Sequence, residues 1–315
     1  MHSHMLPFQR NLIAESSHEF LAIPSREAAM VGSDQDRIRY IESILLPFPA
    51  WSESLDAVQR AMSNATLVRL PGGVHIVAES GMGKTFYLNT LLHKFPGPIV
   101  GDRVSMPILA FDLRKIVEPV QLVEPLLNQV NYPYKQRNKR VEPWQIFCDV
   151  ARSCNVRIVA FDNVQLVVSA GPLACQAFVN FVRNVHDEIG LPFLLLGDQT
   201  LERLLATNPS LANCVPSGYD FLPFGANAMG QSILKTFAEK LPGERIPEFH
   251  TQEFTRLIVK STAGNFRRLK ALGFSFDYRS RGDPKATTKA ILGIAHSSAF
   301  GTSVRVPNPF VLKTA

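Results

Sequence analysis

Two hydrophobic periods alternate along this 315-residue chain. Short unbroken apolar runs, the mark of strands buried on both faces, occur at residues 74–77, 106–111, 156–163 and 191–197. Helical spacing lies around and between them. It covers residues 52–62, the stretch after Lys84 with Tyr87, Leu88, Leu91 and Leu92 on one face, and residues 143–154. It returns over 173–189, where Leu173, Ala177, Phe178, Phe181, Val182, Val185 and Ile189 fall together. A weaker helical candidate spans 120–130; Pro119 could open it, and Pro125 interrupts it. Buried strands alternating with helices predict an α/β fold, a parallel sheet with helices on both faces.

After Phe224 the strand pattern stops. Residues 228–241, 251–261 and 266–272 have helical spacing and predict a small all-helical lid. Residues 1–36 are polar and weakly periodic, as expected of an arm. Arg37 to Glu42 opens a short segment that ends at Pro47 and Pro49. The expected organisation is an arm (1–36), an α/β domain (37–224), a lid (225–285) and a basic tail (286–315). No internal repeat is evident.

Composition changes this picture little. A hydrophobic fraction of 46% suffices for a real core. No uncharged apolar run reaches membrane-spanning length, and no secretory leader pattern opens the chain, so a soluble, cytoplasmic protein is expected. Cys148, Cys154, Cys175 and Cys214 lack metal-ligand spacing and read as reduced thiols.

Charge adds more. The net charge is +6. Between Arg267 and Ala315, nine basic residues face only Asp277 and Asp283. A second basic cluster holds Lys135, Arg137, Lys139 and Arg140. Such clusters neutralise phosphates in nucleic acids, or simply sit on a solvated loop.

The chemistry concentrates after the first strand. Ala78-Glu79-Ser80-Gly81-Met82-Gly83-Lys84-Thr85-Phe86 fits the phosphate-loop pattern, with Ala78 in place of the first glycine. Backbone N–H groups of such a loop and of the helix start behind it cradle phosphate oxygens. Lys84 can reach the β- and γ-phosphates of ATP, and the Thr85 hydroxyl can hold Mg2+. Asp162 closes the third apolar strand, where a carboxylate can hold the same ion. Its neighbour Asn163 occupies the position at which many nucleotide hydrolases carry a glutamate. An amide orients water but takes no proton. Asp198 and Thr200 follow the fourth strand, placed to face the γ-phosphate. Arg267 and Arg268 follow Gly264-Asn265 at a lid helix start, where one arginine could sense the γ-phosphate.

Taken together, Ala-Glu-Ser-Gly-Met-Gly-Lys-Thr (78–85), Ile-Val-Ala-Phe-Asp-Asn (158–163), Phe-Leu-Leu-Leu-Gly-Asp (193–198) and Gly-Asn-Phe-Arg-Arg-Leu (264–269) resemble the motif order of AAA+ ATPases. With the lead-in at 37–43, the chain is similar to the TniB/TnsC transposition regulators of bacterial transposons, CRISPR-associated ones included, over roughly residues 37–272. That resemblance implies an AAA+ P-loop sheet followed by a helical lid. It implies an ATP-dependent matchmaker, assembled on double-stranded DNA as a ring or filament with ATP at subunit interfaces. Its partners would be a TniQ-type target-selection protein and transposase subunits. The ATP phosphates would lie on Gly81, Gly83, Lys84 and Thr85, the metal on Asp162, and the lid sensor would be Arg267. DNA contacts would come from Arg103, Arg114, Lys115, Lys135, Arg137, Lys139 and Arg140. Such phosphate contacts bind without reading sequence.

Two positions depart from the family pattern. Asn163 replaces the catalytic glutamate, and Cys214 stands where an arginine reaches a neighbouring subunit's site. An arginine of that kind contributes orders of magnitude in rate. Nucleotide binding with feeble hydrolysis is therefore expected. A loader or remodeller of another DNA-processing protein would need those two groups. A small-molecule kinase would have no use for the lid and basic tail. The proline-containing segment 305–310 reads as a docking peptide for a transposase subunit.

Overall fold

The computed structural model describes residues 23–65, 72–97, 99–100, 103–115, 122–129, 143–243, 246–283, 285–301 and 307–311. Among them are seven strands: β1 (Val74–Ala78), β2 (Ile99–Val100), β3 (Arg103–Val104), β4 (Ile108–Asp112), β5 (Ile158–Asp162), β6 (Phe193–Gly197) and β7 (Ser217–Phe221). Five form one sheet in the order β4-β5-β6-β1-β7, and every neighbouring pair in it is parallel. β2 and β3 form a separate antiparallel pair. The chain divides into two compact units.

The first unit holds the sheet and comprises Ala50–Ser80 and Lys84–Phe221 in its described part. β5 and β6 are buried at every residue, as a central parallel strand covered on both faces must be. Phe161 of β5 packs against Phe111, Phe178, Phe181 and Phe193, with ring centroids 5.2–6.3 Å apart. Beyond β1, Trp51 meets Tyr87 edge-on at 4.8 Å and Phe221 at 5.7 Å. The helix over Val123–Gln129 forms despite Pro125. The proline falls in the first turn, where its missing N–H would have had no partner in the helix. β7 was not foreshadowed by any apolar run. It is an edge strand whose inward anchor is Phe221, and the rest of Ser217-Gly218-Tyr219-Asp220 is polar or small.

The second unit contains 23–49, Gly81–Gly83 and 222–311. Its helices include Arg26–Val31, Asp34–Ser43, Ala228–Lys240, Gln252–Thr262, Phe266–Gly282 and Thr288–Phe300. Residues 26–36, read from the sequence as part of an arm, are thus largely helical. Ser33 and Asp36 close a reciprocal capping box at the start of Asp34–Ser43. The last helix occupies part of the stretch expected to be a tail. Its N-cap is Thr287, and its weak amphipathic pattern hides it in sequence.

Helix Phe266–Gly282 runs ten residues past the expected end at 272. Gly273 lets this helix pack closely on its neighbour, because a Cβ there would meet the Phe237 ring at 2.4 Å. Arg37 and Asp277 join the N-terminal helices to this one. Both are buried, and Arg37 Nη1 donates to Asp277 Oδ2 at 2.9 Å and to the Pro242 carbonyl at 3.1 Å. Arg26 donates to the carbonyls of Leu241 and Gly243, each at 3.1 Å. Among the described residues no helix is long and apolar enough to cross a membrane.

Candidate nucleotide site

β1 ends at Ala78, and the chain turns through Glu79–Gly83 into the helix Lys84–Lys94. Gly81 and Gly83 have φ of +85° and +91°, a region costly for side chains with a Cβ. Met82 between them is buried, which anchors the turn from below. Lys84 Nζ donates to the carbonyls of Ala78 and Glu79, so its ammonium lies over the loop. Gly81 also belongs to the second unit's own packing. Its carbonyl accepts from Arg267 N–H at 3.1 Å, and a Cβ on it would meet Asn265 Oδ1 at 2.5 Å. Asn265 caps the helix Phe266–Gly282 and accepts from both Arg267 and Arg268 N–H. Both arginine side chains are exposed.

The register of the sheet sets the other half. Thr85 Oγ1 donates to Asp162 Oδ2 at 2.6 Å, and Asp162 is buried. Asp162 Oδ1 accepts from Asn163 N–H at 2.8 Å. The hydroxyl and carboxylate are the pair of oxygens a Mg2+ ion needs beside a nucleotide. This ion takes one or two protein oxygens and fills its octahedron with phosphate and water. Among the described residues no group of three acidic, histidine or cysteine side chains could hold a metal by itself. The donor set therefore fits a phosphate-bound Mg2+ and does not fit a free-standing metal centre.

Asn163 has φ +64°, a left-handed conformation that asparagine tolerates better than most residues. Its amide is tied on both sides: Nδ2 donates to Asp112 Oδ1 at 3.0 Å, and Oδ1 accepts from Gln165 Nε2 at 3.3 Å. Asp112 falls outside the residues expected from the sequence, because the apolar run stops at Phe111. β4 and β5 pair in register, Phe111 with Phe161 and Asp112 with Asp162. A signal was present: Ile108-Leu109-Ala110-Phe111-Asp112 repeats Ile158-Val159-Ala160-Phe161-Asp162 with one change. Burial works to raise the Asp112 pKa. Hydrogen bonds from the Arg114 side chain and backbone and from Asn163 outweigh it and hold the carboxyl below its ordinary range.

Asp198 follows β6 and caps the helix Gln199–Thr207, its Oδ1 accepting from Thr200 N–H at 2.8 Å. Cys214 ends the helix Pro209–Cys214. Burial pushes its thiol up to about 11, so it stays neutral at physiological pH. Of the basic residues proposed for DNA, Arg114 forms a bidentate pair with Asp112, at 2.7–3.1 Å. The side chains of Arg103 and Lys115 lie outside the described residues, as do Lys135, Arg137, Lys139 and Arg140, and Arg305 in the expected docking peptide.

Residues 37–215 match the family model described as Bacterial TniB protein. No match was found among curated protein sequences. Solved structures share the fold. The ORC2 protein of Aeropyrum pernix, in ADPNP–ADP complexes, aligns with TM-score 0.59 and 15% identity, over 78% of this chain and 67% of its own. Cdc6p from Pyrobaculum aerophilum aligns with TM-score 0.58 and 13% identity, over 90% and 73%. The Aeropyrum pernix ORC1 protein in complex with DNA aligns with TM-score 0.55 and 14% identity, over 87% and 69%. The architecture is therefore the AAA+ one, a parallel P-loop sheet flanked by helices with a helical C-terminal region.

Proposed function

Because this chain belongs to the TniB family, we propose that it is an ATP-binding, DNA-associated regulator of transposition. In this reading it assembles on duplex DNA as a ring or filament and links a TniQ-type target-selection protein to transposase subunits. The observation that carries the nucleotide part is the 2.6 Å contact between Thr85 and buried Asp162 behind a loop bent at two left-handed glycines. Backbone N–H groups of that loop and Lys84 would take the phosphates, and Thr85 and Asp162 would hold Mg2+. The metal would neutralise charge on the phosphate oxygens. Arg267 would report the γ-phosphate to the helical unit; its N–H already meets the Gly81 carbonyl. Two fold relatives are described with adenine nucleotides and with DNA, the ligands proposed for this chain.

Hydrolysis in this reading is slow. Asn163 cannot accept a proton, and Cys214 cannot serve as an arginine would. DNA is bound through its phosphates, independently of sequence and weakening as salt rises. Electron microscopy with duplex DNA and Mg2+, with and without ATP, tests the proposal. Rings or filaments should appear only with ATP and vanish in Lys84→Ala. A chain that stays monomeric and indifferent to both ligands would remove the reading.

A further inference from the structure

The Asn163 amide does not stand in for a glutamate alone; it holds a carboxylate from the next strand. Asp112 lies opposite Asp162 in the parallel register and accepts from Asn163 Nδ2. Asp112 is not free to act as a base in this state. Its oxygens accept from Arg114 N–H at 3.0 Å, from Arg114 Nε at 2.9 and 3.1 Å, and from Arg114 Nη2 at 2.7 Å. With Asn163, the lone pairs that would receive a proton are engaged. Arg114 itself is open to its surroundings, its side chain 61% exposed against 21% for Asp112. On the other side of Asn163, Gln165 Oε1 is buried with no hydrogen-bond donor among the described residues. The row Arg114–Asp112–Asn163–Gln165 therefore begins in a releasable cation and ends in an open buried acceptor. Buried acceptors of this kind are ordinarily satisfied by an ordered water.

We propose that Asp112 is the catalytic carboxylate of ATP hydrolysis in this chain, and that Arg114 is the latch that keeps it idle. This rests on the nucleotide reading above. Once freed of Arg114, Asp112 would accept an O–H from a water, which keeps a lone pair for attack. As the water oxygen bonds to the γ-phosphorus, the bond to the β,γ-bridging oxygen breaks. ADP leaves with that electron pair, and the water proton passes to Asp112. The carboxylate can do this only once Arg114 lets go, which would make turnover slow without requiring that the chain lack a base.

The test compares Asp112→Asn, Arg114→Ala and the reciprocal exchange Asp112→Asn/Asn163→Asp with the parent chain. Both residue types tolerate the left-handed backbone at 163. Three quantities are read: affinity for a fluorescent ATP analogue, retention of ADP with aluminium fluoride, and single-turnover hydrolysis. Asp112→Asn should leave ATP affinity unchanged, weaken retention of the transition-state mimic and slow hydrolysis about 100-fold. Arg114→Ala should raise hydrolysis about tenfold. The reciprocal exchange should recover turnover lost in the single variant. If the parent's hydrolysis is below detection, Arg114→Ala carries the test, and a variant equally silent overturns the proposal. Parallel losses in both single variants would mean a structural role and overturn it too. A parent chain that binds no ATP analogue would instead remove the nucleotide reading, and this inference with it.

Discussion

Each of the two compact units is stabilised internally by its own chemistry. The sheet unit relies on apolar burial. Its central strands expose nothing, and Phe161 sits within a cluster of four other phenylalanines. The helical unit joins segments far apart in the chain, and many of its ties end in charged side chains. Arg37 meets Asp277, Arg26 reaches the carbonyls of Leu241 and Gly243, and Lys240 donates to the Leu45 carbonyl at 3.0 Å. Lys270 donates to the Glu42 carbonyl, and Arg281 pairs with Asp34 at 2.6 Å. Apolar packing is insensitive to pH and salt, whereas charged ties are sensitive to both. The units should therefore respond differently to the same perturbation.

The two largest effects expected are of similar size, one in each unit. Phe161→Ala removes a fully buried ring and should cost about 3–5 kcal/mol, read by denaturant titration and nearly unchanged by salt. On the helical side, Asp277→Ala strands the buried Arg37 guanidinium and should cost about 3–5 kcal/mol. Replacing both partners, as Arg37→Met/Asp277→Leu, should recover most of that loss. Equal damage from the single and double variants would show that the pair does more than compensate its own burial. Ser33→Ala opens one half of the capping box and should cost about 1 kcal/mol, seen as faster amide exchange over 34–43.

The smallest effect depends on pH. Burial lowers the Lys270 pKa to about 8 from 10.5, against an opposing pull from Glu42. The folded state thus disfavours the charged lysine, and the penalty is complete below pH 8. Between pH 8 and 10.5 the unfolded chain binds more protons, so stability rises with pH as the penalty is relieved. Lys270→Met should stabilise the helical unit by on the order of 1 kcal/mol at pH 7. The gain should shrink as pH climbs through that window. A gain that grows with pH would invert the assignment.

The same contrast governs what was legible beforehand. The apolar strands β1, β5 and β6 announce themselves because burial leaves them few polar positions, His75 in β1 and Asp162 at the end of β5. β7 does not, since an edge strand needs only Phe221 turned inward. The phosphate loop and Asp162 are readable from local pattern. Asp112 is marked only by the likeness of 108–112 to 158–162, and its importance comes from register with β5 and from the Asn163 amide, both non-local. The charged ties of the helical unit are equally silent. Nothing near Arg37 in sequence indicates that its partner lies at 277. The helix Thr288–Phe300 is hidden for a third reason: its apolar residues spread around the axis and leave a weak stripe.

The place of β1 in the sheet has a consequence for synthesis. Val74 pairs with Leu194 on one side and Ser217 on the other, so both neighbours of β1 leave the ribosome long after it does. Until then an apolar strand with two open edges is exposed, a template for mistaken pairing. The phosphate loop hangs from that strand and cannot take its final shape before β6 and β7 arrive. A nascent chain halted before residue 217 would carry the whole nucleotide motif in its sequence and hold no nucleotide, which makes ATP capture on stalled ribosomes a clock for the closing of the sheet.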